Sequence, residues 1–287
     1  TDLDSQEEYN ARAKAASFIA SIQASYTNFH YLRDVWKRTT EKEALIGVSM
    51  TGIASGNVLE LDMKEAAKIV KTENARVSKL IGTNVAARTT TVKPEGTSSL
   101  VVGSSSGIHP WHSKHYIRRL RVGKDEAIYT YLSIMHPELL VDEYFKPNLQ
   151  AVIEIPQKAP EGSITRNESA LHLLKRVKLV CQEWVKVGHH KGENKNNVST
   201  TVTIRDHEWD EVGEWMWENR NDYTALSCLP YDDHSHVQMP FEDISEERYD
   251  AMVENIHGIN LDSVIEMNDL TDLQGEVACG GGACEVT

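Results

Sequence analysis

Between Val92 and Pro110 the chain reads Val-Lys-Pro-Glu-Gly-Thr-Ser-Ser-Leu-Val-Val-Gly-Ser-Ser-Ser-Gly-Ile-His-Pro. Pro94 presets φ for a turn, and Gly96 lets the backbone come close to a ligand. A helix that starts near Thr97 would point the N–H groups of its first turn at whatever lies over the loop. Such a terminus favours an anion, most simply a phosphate. The hydroxyls of Thr97, Ser98 and Ser99 can add donors. Pro94, Glu95, Gly96, Thr97, Ser98 and Ser99 are therefore the candidate phosphate-binding residues. An ordinary Gly/Ser-rich connection is the alternative on these residues alone.

A second chemistry lies in the tail, where Cys279 and Cys284 flank Gly-Gly-Gly-Ala. Two thiols on a flexible, glycine-rich arm can enter a pocket, exchange with a disulfide and swing out for re-reduction. An accidental terminal pair is one rival. Zinc is another, although it needs about four ligands and the tail offers two thiols. Cys181, within Leu-Val-Cys, and Cys228, within Ser-Cys-Leu-Pro, read as small buried hydrophobes. His112 and His115, His189 and His190, and His234 and His236 are close pairs without further ligands at familiar spacing, so no metal site is expected. His109-Pro110-Trp111 reads as a turn backing the loop, and Asn194–Asn197 as a polar surface turn.

The elements that must position these groups alternate between helix and short strand. Residues 6–38 read as helical, with Ala11, Ala15, Phe18, Ile19 and Ile22 at three- and four-residue spacings. Ala44–Ile53 suits a buried strand, and Met63–Ile81 a helix with Ala66, Ala67, Val70 and Val77 on one stripe. Asn84–Val92 returns to strand and delivers the loop. Tyr116–Val122 and Ala151–Ile155 read as strands around a helix near Asp125–Met135. Ser169 is a suitable N-cap for a helix over Ala170–Val187. The strand Val198–Ile204, a helix opening at Asp206, the strand Ala225–Leu229 and a last helix Glu246–Ile256 complete the series. Such alternation predicts an α/β fold with parallel pairing, as either a barrel or an open sheet.

Composition narrows the partners. A formal net charge of −13 argues against nucleic acid as the main ligand, which needs clustered Lys and Arg. No apolar run is long enough to span a membrane, and the acidic first residues do not read as a secretory signal. Four cysteines in 287 residues make no disulfide framework, so a cytoplasmic location is expected.

From about Ala11 onward, several segments in order resemble the adenosylcobalamin-dependent (class II) ribonucleotide reductases, in particular the monomeric ribonucleoside-triphosphate type. They are Ile22–Tyr26, Gly47–Ile53, Lys93–Ser99, Ser105–Pro110, His115–Arg119, Ala159–Gly162, Asn196–Ser199 and Ala278–Glu285. The resemblance implies the later part of a ten-stranded α/β barrel over residues 1–270, then a flexible redox tail over 271–287. It implies that the loop Pro94–Ser99 holds the substrate's phosphates. It also makes Cys279 and Cys284 a shuttle pair, re-reduced by a thioredoxin-like protein. Adenosylcobalamin is the implied cofactor and a ribonucleoside triphosphate the implied substrate. A thiyl radical would take the 3′-hydrogen, water would leave C2′, and a cysteine pair would supply the electrons.

The chain also departs from that family. No Asn-x-Cys-x-Glu, the setting of the family's radical cysteine, occurs in it. Its expected place lies upstream of Thr1. The expectation is thus the C-terminal part of a split or truncated reductase, working with an upstream fragment that carries the finger-loop cysteine. A non-catalytic remnant that binds a phosphorylated ligand is the alternative. Other reductase classes fit less well. There is no adjacent Tyr-Tyr pair of the class I type, and the tail is unlike a glycyl-radical motif.

Overall fold

The computed structural model describes residues 3, 5–231, 237–256 and 258–265. In chain order the elements are α1 (Gln6–Gln23), α2 (Asp34–Glu43), α3 (Met63–Ile81), the single turn α4 (Ser98–Val101), β1 (His115–Gly123), α5 (Ala127–Met135), β2 (Leu140–Asp142), β3 (Gln150–Lys158), α6 (Ala170–Val180), β4 (Thr201–Ile204), α7 (Trp209–Glu218), β5 (Ser227–Pro230), β6 (Phe241–Asp243) and α8 (Glu246–Asn255). They fall into two compact units. One holds residues 1–110, 162–164 and 168–231, and the other 111–161, 165–167 and those from 232 on.

In the first unit four extended segments lie side by side in parallel. Val48 bridges Thr90, Val92 bridges Val198, and β4 pairs with β5 in the register Thr201↔Ser227 to Ile204↔Pro230. The predicted strands over 44–53 and 84–92 are present as extended, bridged segments, too briefly paired for a regular ladder. Pro230 ends β5 rather than stopping the chain before it. The described residues form an arc of this parallel sheet, with helices packed on it.

Helix α1 corrects the expectation of one long helix over 6–38. It ends at Gln23, and α2 begins only at Asp34. Its buried face also differs from the predicted one. Tyr9, Ala13, Ser17 and Ser21 are buried, whereas Ile19 is 65% exposed. The reason is contact with α3, whose Ala66, Ala67, Val70 and Val77 form the expected buried stripe. Ser17 Oγ donates to Val70 O at 2.8 Å, and Asn74 Nδ2 donates to Ser21 Oγ at 2.8 Å. Small hydroxyl side chains with partners permit this close approach, so hydrophobicity alone misplaces the face.

Ser169 caps α6 as expected, accepting from His172 N. The helix does not run regularly to Val187. Residues Cys181–Val185 widen into a π-turn, with Lys186 N donating to Cys181 O at 2.8 Å. The widened turn meets the central strand side on. Thr90 Oγ1 donates to Trp184 O, Thr89 Oγ1 to Gly188 O, and the Trp184 indole N–H to Thr91 O at 3.0 Å. Gly188 permits this approach, because a Cβ there would lie 1.9 Å from Thr90 Oγ1.

The second unit corrects the expectation of parallel pairing throughout. Its four strands run in the order β2-β3-β1-β6 and every pair is antiparallel. β1 and β3 pair over nine residues, from His115↔Lys158 to Gly123↔Gln150. Period-two patterning marks strands but carries no direction, and here a helix and a short edge strand connect the two partners. Arg119 of β1 is ion-paired with Glu154 of β3 and Glu242 of β6, tying three strands together.

Replacing Gly188 with Ala should destabilise the chain by about 1–3 kcal/mol, the usual cost of overpacking a core. Chemical denaturation measures it, and a change below about 0.5 kcal/mol would show that the strand and π-turn are not rigidly apposed.

Candidate functional site

The loop leaves the central strand at Val92, whose N–H donates to Asn197 O at 3.0 Å. Lys93 N donates to Ser49 Oγ at 2.9 Å. Glu95 then takes a left-handed conformation, φ 57°. This turns the chain so that Ser99 N donates back to Glu95 O at 2.9 Å. The helix expected near Thr97 starts there, but α4 is one turn of four residues. A turn that short sums no useful macrodipole. Among the described residues, the N–H groups of Gly96, Thr97 and Ser98 donate to no acceptor. These three groups, rather than a helix end, are the donors that the loop would offer an anion.

The hydroxyls divide in two. Thr97 and Ser98 are exposed, whereas Ser99 is buried and its Oγ donates to Gly96 O at 3.2 Å. Ser99 therefore closes the loop on itself. Lys93 and Glu95 carry opposite charges, so the main-chain donors face an anion with little net help from side chains.

A second turn, residues 104–107, supports the loop from behind. Ser106 Oγ donates to Pro94 O at 2.8 Å. Gly107, at φ 54°, lies so close that a Cβ would sit 2.4 Å from Lys93 O. Gly107 N donates to Thr51 Oγ1, which donates in turn to Ser105 O. Gly52 N and Ile53 N donate to Ser105 O and Gly107 O. Sequence reasoning missed Thr51, Ser106 and Gly107. Only the occurrence of Gly47–Ile53 and Ser105–Pro110 as separate matching segments hinted that they work together.

His109 fastens the supporting turn to the sheet. Its Nδ1 lies 3.1 Å from Ser106 O, and Thr201 N donates to its Nε2 at 3.1 Å. A main-chain N–H can donate only to an unprotonated nitrogen, so the ring is neutral with its proton on Nδ1. Burial pushes its pKa below the usual 6.5, and the nearby Arg176 cation adds to this. Arg176 is itself buried, in a bidentate pair with Glu168 at 2.5 and 2.8 Å.

A cavity of about 230 Å³ adjoins the loop's base. Tyr9, Met50, Thr51, Gly52, Val102 and Trp184 are among the residues that line it. Tyr9 stacks on Trp184 with ring centroids 6.0 Å apart, and its hydroxyl meets the Met50 thioether at 2.7 Å. Burial raises the Tyr9 pKa, and the Asp62 charge raises it further.

Cys181 is buried in the π-turn, where burial pushes its thiol up to about 11. Cys228 is half-buried, 3.9 Å from the Met216 sulfur, and burial raises its pKa too. Neither is a thiolate at neutral pH, so neither is poised as a nucleophile. Asn196 Nδ2 reaches Ile46 O and Thr90 O and cross-links two strand segments. No group of His, Cys, Asp and Glu suited to a metal occurs among the described residues. No helix among them is long and apolar enough to cross a membrane. Cys279, Cys284, His234 and His236 lie outside the described residues.

Set beside known proteins, the chain is similar to one class of ribonucleotide reductase. Its fold is that of part of a B-12-dependent (class II) ribonucleotide reductase. The crystal structure of such an enzyme matches 88% of this chain with a TM-score of 0.74 at 22% identity, and the match covers 39% of that enzyme's chain. In sequence, the chain is 28% identical over 213 residues to the adenosylcobalamin-dependent ribonucleoside-triphosphate reductase of Lactobacillus leichmannii, covering 73% of this chain and 28% of the relative. It is 24% identical over 265 residues to that of Euglena gracilis, covering 87% and 35%. Against that of Lactobacillus acidophilus it is 25% identical over 315 aligned residues, covering 98% and 42%. The chain thus spans about a third of the length of the curated relatives it matches. No family model matches it.

His109 makes stability depend on pH with a definite sign. The unfolded chain takes up a proton near pH 6.5 and the native ring only at lower pH, so the unfolded state binds more protons between the two values. Stability should therefore fall as pH drops below about 6.5. His112, lowered to about 4 chiefly by burial, contributes with the same sign. Denaturant midpoints of the wild type and His109→Gln between pH 7 and 5 isolate the His109 share. Parallel curves would show that the ring is free to protonate in the native state.

Proposed function

We propose that this chain supplies the substrate-phosphate loop and part of the α/β barrel of an adenosylcobalamin-dependent ribonucleoside-triphosphate reductase. One observation carries the reading. The loop that resembles the family's phosphate-binding segment presents three main-chain N–H groups, Gly96 to Ser98, that are unpaired among the described residues and held on a rigid support. Such donors suit the terminal phosphates of a nucleoside triphosphate. Fixing the phosphates fixes the distance of the ribose from the reacting cysteine, which is a positioning contribution to catalysis.

The cofactor is proposed on the relatives' names. Adenosylcobalamin in such an enzyme supplies the radical that a cysteine uses on the ribose. No Asn-x-Cys-x-Glu is present among the 287 residues. The radical cysteine and its reducing partner are therefore assigned to a part of the enzyme that this sequence does not cover, either preceding it or on a companion polypeptide. Cys181, in the π-turn, and Cys228, beside Met216, both lie outside any Asn-x-Cys-x-Glu setting and are not assigned that part. Cys279 and Cys284 serve as the shuttle to a thioredoxin-like reductant in the same reading. What supports this is their spacing and the three glycines between them.

Two experiments test the proposal. Titration of the ¹⁵N-labelled chain with inorganic triphosphate should shift the Gly96, Thr97 and Ser98 amides. Gly96→Val should weaken that binding at least about tenfold, because a β-branched residue restricts the turn and blocks close approach. Unperturbed loop amides would reduce the segment to a connection.

For the tail, Cys279→Ser with Cys284→Ser in the complete enzyme should leave a first turnover intact. Steady turnover with thioredoxin should collapse, and a small dithiol should restore much of it. Undiminished thioredoxin-driven turnover would make both cysteines passengers.

A further inference from the structure

Beyond the root of the phosphate loop, one aromatic ring ties the turn behind it directly to the sheet. The loop's own residues give it a closed turn, Ser99 N to Glu95 O and Ser99 Oγ to Gly96 O, but do not fix where that turn stands. Its position comes from the 104–107 turn, through Ser106 Oγ to Pro94 O and through the contact of Gly107 with Lys93 O. That turn needs a fixed point of its own. Thr51 Oγ1 links it back to the segment 49–53, through Gly107 N and Ser105 O, and His109 crosses from Ser106 O to β4. Segment 49–53 is bonded both to the loop's root and to its support, through Ser49 and Thr51. Strand β4 is anchored independently by its parallel partner β5 and by the buried side chains of Val202 and Ile204.

We propose that His109 is a positioning residue of the phosphate loop, acting as a neutral bridge that donates from Nδ1 to Ser106 O and accepts at Nε2 from Thr201 N. The inference rests on the phosphate-loop reading above and adds to it the group that sets the loop's place. Arg176 backs the bridge. Held by Glu168, its Nη2 donates to Ile108 O at 3.4 Å, adjacent to His109 in sequence. The arrangement separates two tasks. Main-chain N–H groups contact the anion, while the neutral ring fixes where those N–H groups stand. A cation in place of the neutral ring would put an N–H against the Thr201 N–H and break the bridge.

The two ring nitrogens can be mimicked separately. In His109→Asn the amide nitrogen falls near the Nδ1 position and keeps the donor toward Ser106, losing the link to Thr201. In His109→Gln the amide oxygen reaches the Nε2 position and keeps the acceptor for Thr201, losing the donor toward the loop. Either break unlinks loop and sheet. Both variants should therefore weaken binding of inorganic triphosphate about five- to tenfold, the scale of one buried hydrogen bond. Both should also speed amide hydrogen exchange at Ser99 in the absence of any ligand.

A purely structural histidine would instead lower global stability without changing exchange at Ser99 relative to core amides such as Val202. Arg176→Lys is the third variant and should show a smaller change of the same kind. The long-range ¹⁵N spectrum of the wild-type ring should show Nδ1 protonated at pH 7. Failure of wild-type loop amides to respond to triphosphate sinks the phosphate reading, and the ligand-free exchange data then decide the positioning claim alone. Wild-type exchange at Ser99 in both His109 variants, or an Nε2-protonated ring, overturns the proposal.

Discussion

Residues 88–92 have no face left for solvent, and the rest of the first unit depends on that. Thr89, Thr90, Thr91 and Val92 are all buried. On one side the segment bridges the strand at Val48, and on the other it bridges Val198. Over its length it receives the π-turn of the α6 helix. The three threonine hydroxyls donate to Gly188 O, Trp184 O and Asn197 O, and the Trp184 indole donates to Thr91 O. Buried hydroxyls are costly unless paired, so these four bonds define a single alignment of strand against helix. The proposed phosphate loop begins at the next residue, and its root inherits that rigidity.

The widened turn sits where strand and helix meet. The Trp184 carbonyl stays in the helix's own ladder, accepting from Gly188 N at 3.0 Å, and accepts from Thr90 Oγ1 as well, while its indole N–H donates to Thr91 O. Gly188 follows because the backbone then passes within contact of Thr90. Stability of the core and precision of the loop thus arise from the same bonds. The proposed phosphate loop stands at the far end of the strand, where the chain turns away at Pro94 and Glu95.

The second unit follows a different logic. Its antiparallel sheet is held by the β1–β3 register and by Arg119 between two carboxylates. An aromatic group of His112, Tyr116 and Phe241 covers one part of it, with ring centroids 5.1 to 5.9 Å apart and the Arg118 guanidinium over Phe241. The basic run Arg118–Arg121 is thereby divided by the pleat. Arg119 faces the carboxylates and Arg118 the aromatic ring, so the run is not a basic patch.

Much was legible in the residues themselves. The helical stripe of α3, the Ser169 cap, the strands at 116–122 and 151–155, and the position of the loop all follow from short-range pattern, because side-chain periodicity and capping act within a few residues. The likeness to class II reductases was equally readable, since it lies in several local segments kept in order. Strand direction was not readable, nor was the buried face of α1, because both are settled by what packs across from them. The loop's anion-binding groups also changed in kind. Sequence pointed to a helix terminus, but packing of Gly107 and Ser106 behind Lys93 and Pro94 holds a short turn whose free N–H groups take that place. The protonation of His109 was decided the same way. Its tautomer follows from Thr201 N, a group 92 positions away that only the folded chain brings to its ring.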